Sequence, residues 1–201
     1  MPKPAYLPAA PNRILVVESM DAFLNAPFSE DVNCILYPRA LTGAFNTLAR
    51  ELRQESQTFY AVGLENFAEA HPAYGSEIGL ILADIDACGH AGFQAYLRVV
   101  DSRHHYKDIV HGFHVDFAQA GKGRAMCCYT GPVTEAVRNE DATQDGLNNR
   151  YVPKPGTVFQ FQVGDLWRQA GTMNGGNVLP FIHRAPRIAP EAVPRLVLVG
   201  I

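Results

Sequence analysis

Neither sign of charge dominates this chain. Its 17 Lys and Arg stand against 20 Asp and Glu, a formal net charge of −3. The sequence therefore lacks the broad basic surface of a nucleic-acid or anionic-membrane binder, and neither is expected among its partners. Charged residues make up 18% and apolar residues 47%, proportions that exclude a disordered or fibrous chain. No apolar run approaches the roughly 20 residues of a membrane-spanning helix. The opening MPKPAYLPAAPNR has one early Lys but no continuous apolar stretch, which predicts no secretory leader. Cysteine is scarce, with only Cys34, Cys88, Cys127 and Cys128. These form neither a CxxC zinc knuckle nor the dense spacing of a secreted disulfide framework. Reduced, buried thiols in a cytoplasmic protein are expected. Cys127 and Cys128 are adjacent, so in a strand they point to opposite faces and cannot grip one metal together.

Several catalytic signatures are also missing. There is no GxSxG nucleophile elbow and no HExxH zinc helix. GPVTE at 131–135 and NGGN at 174–177 read as turns, because neither opens a helix after a strand with phosphate-loop spacing. Internal repeats and low-complexity tracts are absent.

Two textures are present. Four prolines within residues 1–12 predict an irregular arm, and Ile14–Val17 a short strand. Leu41, Phe45, Leu48 and Leu52 recur at spacings of four, three and four, an apolar stripe that predicts an amphipathic helix over about 39–55. Ile78–Ile85 reads as a second helix. From about Phe93 onward, short aromatic and β-branched segments alternate with Gly, Pro, Asn and Asp breaks, as in a β-sandwich or barrel. The expected strands are 94–100, 112–117, 124–130, 133–137, 158–163, 178–183 and 195–199. The polar segment 138–156 is expected to be a long surface loop. The organisation expected is α+β, with residues 1–92 as arm and helical support for a β core over 93–201.

The chemistry concentrates in FHVDF, which spaces His114 and Asp116 two apart. Residues i and i+2 of a strand share a face about 7 Å apart, so an imidazole and a carboxylate can converge on one ion. His183 in PFIHRAP, 69 residues later, supplies a third ligand. Two His and one carboxylate leave open positions on a metal, as non-heme Fe(II) oxygenases require. Zinc hydrolases also use this donor set. Arg195 lies twelve positions after His183 and opens the strand RLVLVGI. If the loop 186–194 turns the chain back, Arg195 sits on a strand beside the one ending in His183. There a guanidinium can clamp a carboxylate through two parallel hydrogen bonds.

Plainer readings stand beside these. His114 and Asp116 can be a solvated pair, His183 a hydrogen-bonded core residue, and Arg195 a charge guarding an apolar strand. Tyr129 is a candidate hydroxyl donor to a cosubstrate carboxylate, or a half-buried strand Tyr. Arg98 is a candidate second pocket cation. His104, His105 and His111 form a loose cluster, read as solvated loop residues with a second metal site as the alternative. Trp167 reads as a packing residue and Arg168 as a surface charge.

The order HxD, long gap, distal His, then Arg at a strand start resembles the Fe(II)/2-oxoglutarate-dependent oxygenase superfamily over roughly residues 93–201. FHVDF, CYTGPVTEAV and PFIHRAP…PRLVLVGI are also similar to a bacterial family of unknown function with FHxD, TYxGPGTEW and HRSP…RLLL-like segments. The chain departs from that pattern at Val133, where Gly is expected, and at Ala136, where Trp is expected. The superfamily resemblance implies a double-stranded β-helix, the jelly-roll or cupin-like fold, with Fe(II) on His114, Asp116 and His183. It also implies 2-oxoglutarate anchored on Arg195, with Tyr129 and Arg98 as further cosubstrate contacts. Decarboxylation to succinate would be coupled to oxidation of a small-molecule or peptide substrate. The rival expectation is a cupin-like metal-binding or sensing protein of the same fold without oxygenase activity.

Overall fold

Local chemistry sets the helices. The computed structural model describes residues 4–9, 12–102, 110–146 and 149–201. Helix α1 (Met20–Asn25) starts where the Ser19 hydroxyl accepts from the Ala22 amide at 3.1 Å, an N-cap that satisfies one orphan donor. Helix α2 (Phe45–Glu55) carries the predicted stripe and buries Phe45, Leu48, Ala49 and Leu52. It begins six residues later than the stripe suggests, because Gly43 sits at φ +132 and breaks the helical path. Its exposed first turn is capped from a distance, with Glu77 accepting from the Ala44 amide at 2.5 Å. Leu41 instead packs onto Gly164, where an added Cβ would lie 2.7 Å from the Leu41 Cγ. Helices α3 (Ala61–Ala70) and α4 (Gly75–His90) complete the helical layer; the 78–85 segment is the middle of α4.

Thirteen strands form two sheets among the described residues. They are β1 (Ile14–Val16), β2 (Cys34–Tyr37), β3 (Thr58–Phe59), β4 (Ala95–Val100), β5 (Phe113–His114), β6 (Arg124–Cys128), β7 (Glu135–Val137), β8 (Ala142–Gln144), β9 (Arg150–Pro153), β10 (Phe159–Gln160), β11 (Leu166–Gln169), β12 (Ile182–Arg184) and β13 (Arg195–Gly200). The larger sheet runs β1-β2-β11-β6-β13-β4-β3 and the smaller β10-β7-β12-β5-β9-β8. Among these described strands only β1 and β2 pair in parallel. Residues before 93 thus supply three strands of the larger sheet as well as its helices.

Alternation along the strands sorts side chains into two layers. On one face of the larger sheet, Ile35, Leu97, Val99, Leu166, Leu196 and Leu198 pack with the helical residues Leu48, Leu52, Ile78 and Ile81. On the other face, Cys34, Leu36, Cys128, Trp167 and Val197 meet Ala136, Phe161 and Phe181 from the smaller sheet and its connections. The sheets therefore pack face to face, and the helices cover the larger sheet from outside.

Three expectations are corrected here. Segment 138–156 is not a loop: it forms a 3-10 turn (Asn139–Asp141) and the β8–β9 hairpin, whose second strand pairs with β5 through Phe113 and Tyr151. Its apolar alternation is thin because it lies at a sheet edge. Trp167 and Arg168 lie on β11, and Arg168 is 3% exposed, not a surface charge. Its guanidinium stacks over Phe28 and donates through Nη2 to the Ala26 carbonyl, while its Nε has no hydrogen-bond partner among the described residues. The strand around FHVDF ends at His114, so Asp116 lies beyond it. No helix among the described residues is long and apolar enough to cross a membrane.

Candidate metal centre

His114 and His183 are directly opposed in the ladder between β5 and β12, on the inner face of the smaller sheet. Their rings lie 4.6 Å apart. Each ring holds its Nδ1 against the carbonyl two residues upstream, at 2.9 Å to Gly112 for His114 and 3.3 Å to Phe181 for His183. A backbone carbonyl can only accept, so a neutral ring carries its proton on Nδ1 and presents the Nε2 lone pair inward.

Asp116 completes the cluster from outside the strand. Its position is set by backbone, with the Thr172 amide donating to its carbonyl at 2.9 Å. Gly171 packs so close that an added Cβ would lie 2.8 Å from that oxygen and 2.5 Å from the Ala118 Cβ. The carboxylate lies 3.6 Å from His114 Nε2 through Oδ1 and 3.5 Å from His183 Nε2 through Oδ2. One ligand atom from each of the three residues lies within 4.8 Å of the others. Two imidazole nitrogens and one carboxylate suit Fe(II), Zn(II) and their first-row neighbours rather than Ca²⁺ or Mg²⁺.

Second partners hold the carboxylate. Arg124 Nη1 and Gln169 Nε2 each donate to Asp116 Oδ2 at 2.8 Å. These two residues are cross-strand neighbours on β6 and β11. Burial works to raise the Asp116 pKa, but the His114 and His183 rings beside it and the Arg124 guanidinium outweigh it. The carboxyl is held well below the usual carboxylate range.

The cluster opens into a cavity of about 470 Å³ between the sheets, whose lining includes Arg98, Arg195, Thr134 and Val197. Arg195 is 4% exposed. Its Nη2 lies 3.2 Å from both the Cys128 sulfur and the Thr134 hydroxyl, while its Nε has no hydrogen-bond partner among the described residues. No carboxylate among the described residues pairs with it. Its stem runs over Gly131, at φ +74, where an added Cβ would lie 2.7 Å from the Arg195 Cγ. The Thr130 hydroxyl donates to the Pro194 carbonyl at 2.7 Å and accepts from the Leu196 amide at 2.8 Å, fixing the start of β13.

Arg195 and His183 are not on neighbouring strands. β13 belongs to the larger sheet and β12 to the smaller, so they face each other across the cavity. Tyr129 is not brought to the site. It follows Cys128, an inward residue, so its side chain lies on the helical face, where its hydroxyl donates to Asp84 at 2.6 Å and its ring stacks on Phe45. Arg98 and His111 line the cavity, with His111 Nδ1 3.1 Å from the Ala185 carbonyl. His104 and His105 lie outside the described residues. Cys127 is on the helical side beside Arg39 and Cys128 on the cavity side beside Arg195. Residue spacing does not single out Arg124, Thr134, Trp167 and Gln169; their signal in the sequence is a side chain with a polar group at an inward position of an otherwise apolar strand.

An α+β fold that brings His, Asp and His together opposite a buried guanidinium defines a protein with a candidate centre for one metal ion. Residues 19–199 match a family described as a protein of unknown function (DUF1826), and the chain belongs to that family. No curated protein and no solved structure matches it.

Proposed function

We propose that this protein is a non-heme Fe(II) oxygenase that uses 2-oxoglutarate as cosubstrate. The observation that carries the reading is Arg195, a buried guanidinium without a carboxylate partner among the described residues, in the cavity that the His–Asp–His cluster enters. Buried charges are ordinarily paired, so this one calls for an anionic ligand. A metal ligand set at one part of a cavity and a carboxylate anchor at another match a keto acid with a distal carboxylate.

The order of strands supports a double-stranded β-helix. From β4, leaving aside the β8–β9 hairpin, the chain crosses between the sheets at each step except from β7 to β10, with β4, β6, β11 and β13 in the larger and β5, β7, β10 and β12 in the smaller. Within the larger sheet these four run β11-β6-β13-β4, and within the smaller β10-β7-β12-β5. Such an order supports a jelly-roll winding, to which β1–β3 and the β8–β9 hairpin add at the edges.

His114, Asp116 and His183 would hold the metal, and Arg195 the far carboxylate, with the Thr134 hydroxyl beside it. Bound Fe(II) and 2-oxoglutarate would supply the oxidative chemistry with dioxygen as the four-electron oxidant, one oxygen atom going to the succinate formed as the keto acid loses carbon dioxide and the other to a substrate C–H bond. The protein orients both groups, and Val197 and Met126 keep part of the cavity wall apolar. Buried thiols without disulfides suit a cytoplasmic setting.

Anaerobic calorimetry tests the assignment. Wild type should bind Fe(II) and then 2-oxoglutarate, and His114→Ala, Asp116→Ala and His183→Ala should each lose most Fe(II) affinity. Fe(II) binding without any 2-oxoglutarate binding would leave the cupin-like metal binder as the reading. Parent-like Fe(II) affinity in all three variants would refute the ligand set.

A further inference from the structure

We propose that Gln169 is a positioning residue that keeps the Nε2 atom of His183 and the Asp116 carboxylate from bonding to each other, so that both stay available to a metal. The inference rests on the metal-site reading above and adds a residue to it.

The argument starts at Trp167, whose indole N–H can only donate. It lies 3.0 Å from Gln169 Oε1, and both residues are fully buried on the inner face of β11. The amide oxygen must therefore face the indole, which fixes the direction of the whole amide. Its NH₂ then points the other way, with Nε2 at 2.8 Å from Asp116 Oδ2 and 3.2 Å from His183 Nε2. Two N–H bonds meet two acceptors. The second contact is favourable only if His183 Nε2 carries a lone pair, which agrees with the Nδ1 proton directed to the Phe181 carbonyl.

Without the amide, a competing arrangement opens. His183 Nε2 lies 3.5 Å from Asp116 Oδ2. A ring protonated on Nε2 would close that gap as a hydrogen bond to a carboxylate, a strong type in a dry site. The Nδ1 contact is the longer of the two ring-to-carbonyl contacts and offers weaker resistance to a switch. Both ligand atoms would then be tied up, and an incoming metal would have to break the bond. Gln169 satisfies both atoms separately. When a metal takes the His183 lone pair, the amide gives up that contact and keeps its bond to Asp116 Oδ2. Together with Arg124, it leaves Oδ1 as the ligating oxygen.

The test compares wild type, Gln169→Leu and Trp167→Phe, using nitrogen NMR of the His183 ring in metal-free protein and Fe(II) titration under anaerobic conditions. In wild type, Nδ1 should be protonated and Nε2 bare. Gln169→Leu should move the proton to Nε2 and weaken Fe(II) binding by roughly 10–100-fold, the usual effect of losing a partner to metal ligands. Trp167→Phe, which frees the amide to flip, should give a mixture of tautomers and a smaller loss. It carries the same test if Gln169→Leu does not fold. An Nε2-protonated ring in wild type overturns the proposal. So does an unchanged tautomer in the variants, even if Fe(II) binds more weakly. A tautomer switch in a protein that binds no Fe(II) supports the positioning role and refutes the metal reading instead.

Discussion

Replacing Arg195 with Met should stabilise the metal-free protein and strongly weaken 2-oxoglutarate binding. Arg195 is 4% exposed, and among the described residues its guanidinium hydrogen-bonds only a thiol and a hydroxyl and its Nε has no partner. A buried, unsatisfied polar group costs about 1–3 kcal/mol. Replacing buried charge by apolar side chains of similar volume is often neutral or stabilising by roughly 1–4 kcal/mol. Met keeps an unbranched stem that can pass over Gly131, so little is lost in packing. Because the side chain borders a cavity, the gain should fall in the lower part of that range, about 1–2 kcal/mol. For a chain of this length each kcal/mol raises Tm by roughly 2–4 °C. The assay is urea and thermal unfolding of metal-free protein without keto acid, repeated on Fe(II)-loaded protein with 2-oxoglutarate. A concentration a hundred times the wild-type Kd should add about 2.7 kcal/mol to wild type and far less to the variant. If Arg195→Met is instead less stable by about 2 kcal/mol or more, a size typical of lost buried contacts, the guanidinium is a structural strut and the anion-anchor argument fails.

Behind the larger sheet, Asp84 accepts from Arg39 at 2.8 Å and from the Tyr129 hydroxyl at 2.6 Å. Asp84→Ala strands both partners and should cost about 3–5 kcal/mol in urea unfolding; a loss under about 1 kcal/mol would contradict a tightly coupled network. Burial pushes the Cys34 and Cys127 thiols well up and the Cys88 thiol up to about 12, and all four cysteines are buried. A thiol reagent in mildly alkaline buffer should therefore find no reactive cysteine in the native protein and all of them after unfolding. A Cys127→Ser, Cys128→Ser protein that folds should keep its Fe(II) content, since neither sulfur belongs to the ligand cluster.

The stripe Phe45, Leu48 and Leu52 made α2 legible because burial of one helical face depends on spacing alone. The HxD, His and Arg spacing likewise named the residues that meet at the cavity. What spacing could not carry was the partition of strands between two sheets. β12 and β13 follow each other closely, yet they face each other across the site. Tyr129 illustrates a parity problem: one residue separates the cavity face at Cys128 from the helical face. Asp116 lies beyond its strand because Gly171 and Thr172 hold its backbone, a contact between segments more than fifty residues apart. Gln169 is not legible in the sequence because a lone Gln in a strand acquires meaning only from its neighbours in space.

The most direct test of the central claim is a spectrum. Metal-free protein loaded with Fe(II) without oxygen and then titrated with 2-oxoglutarate should develop a weak visible absorption band from chelation of the iron by the keto acid. The band should be missing in Asp116→Ala and should need far more 2-oxoglutarate in Arg195→Met. A wild-type protein that holds Fe(II) yet shows no band at saturating 2-oxoglutarate would contradict the account.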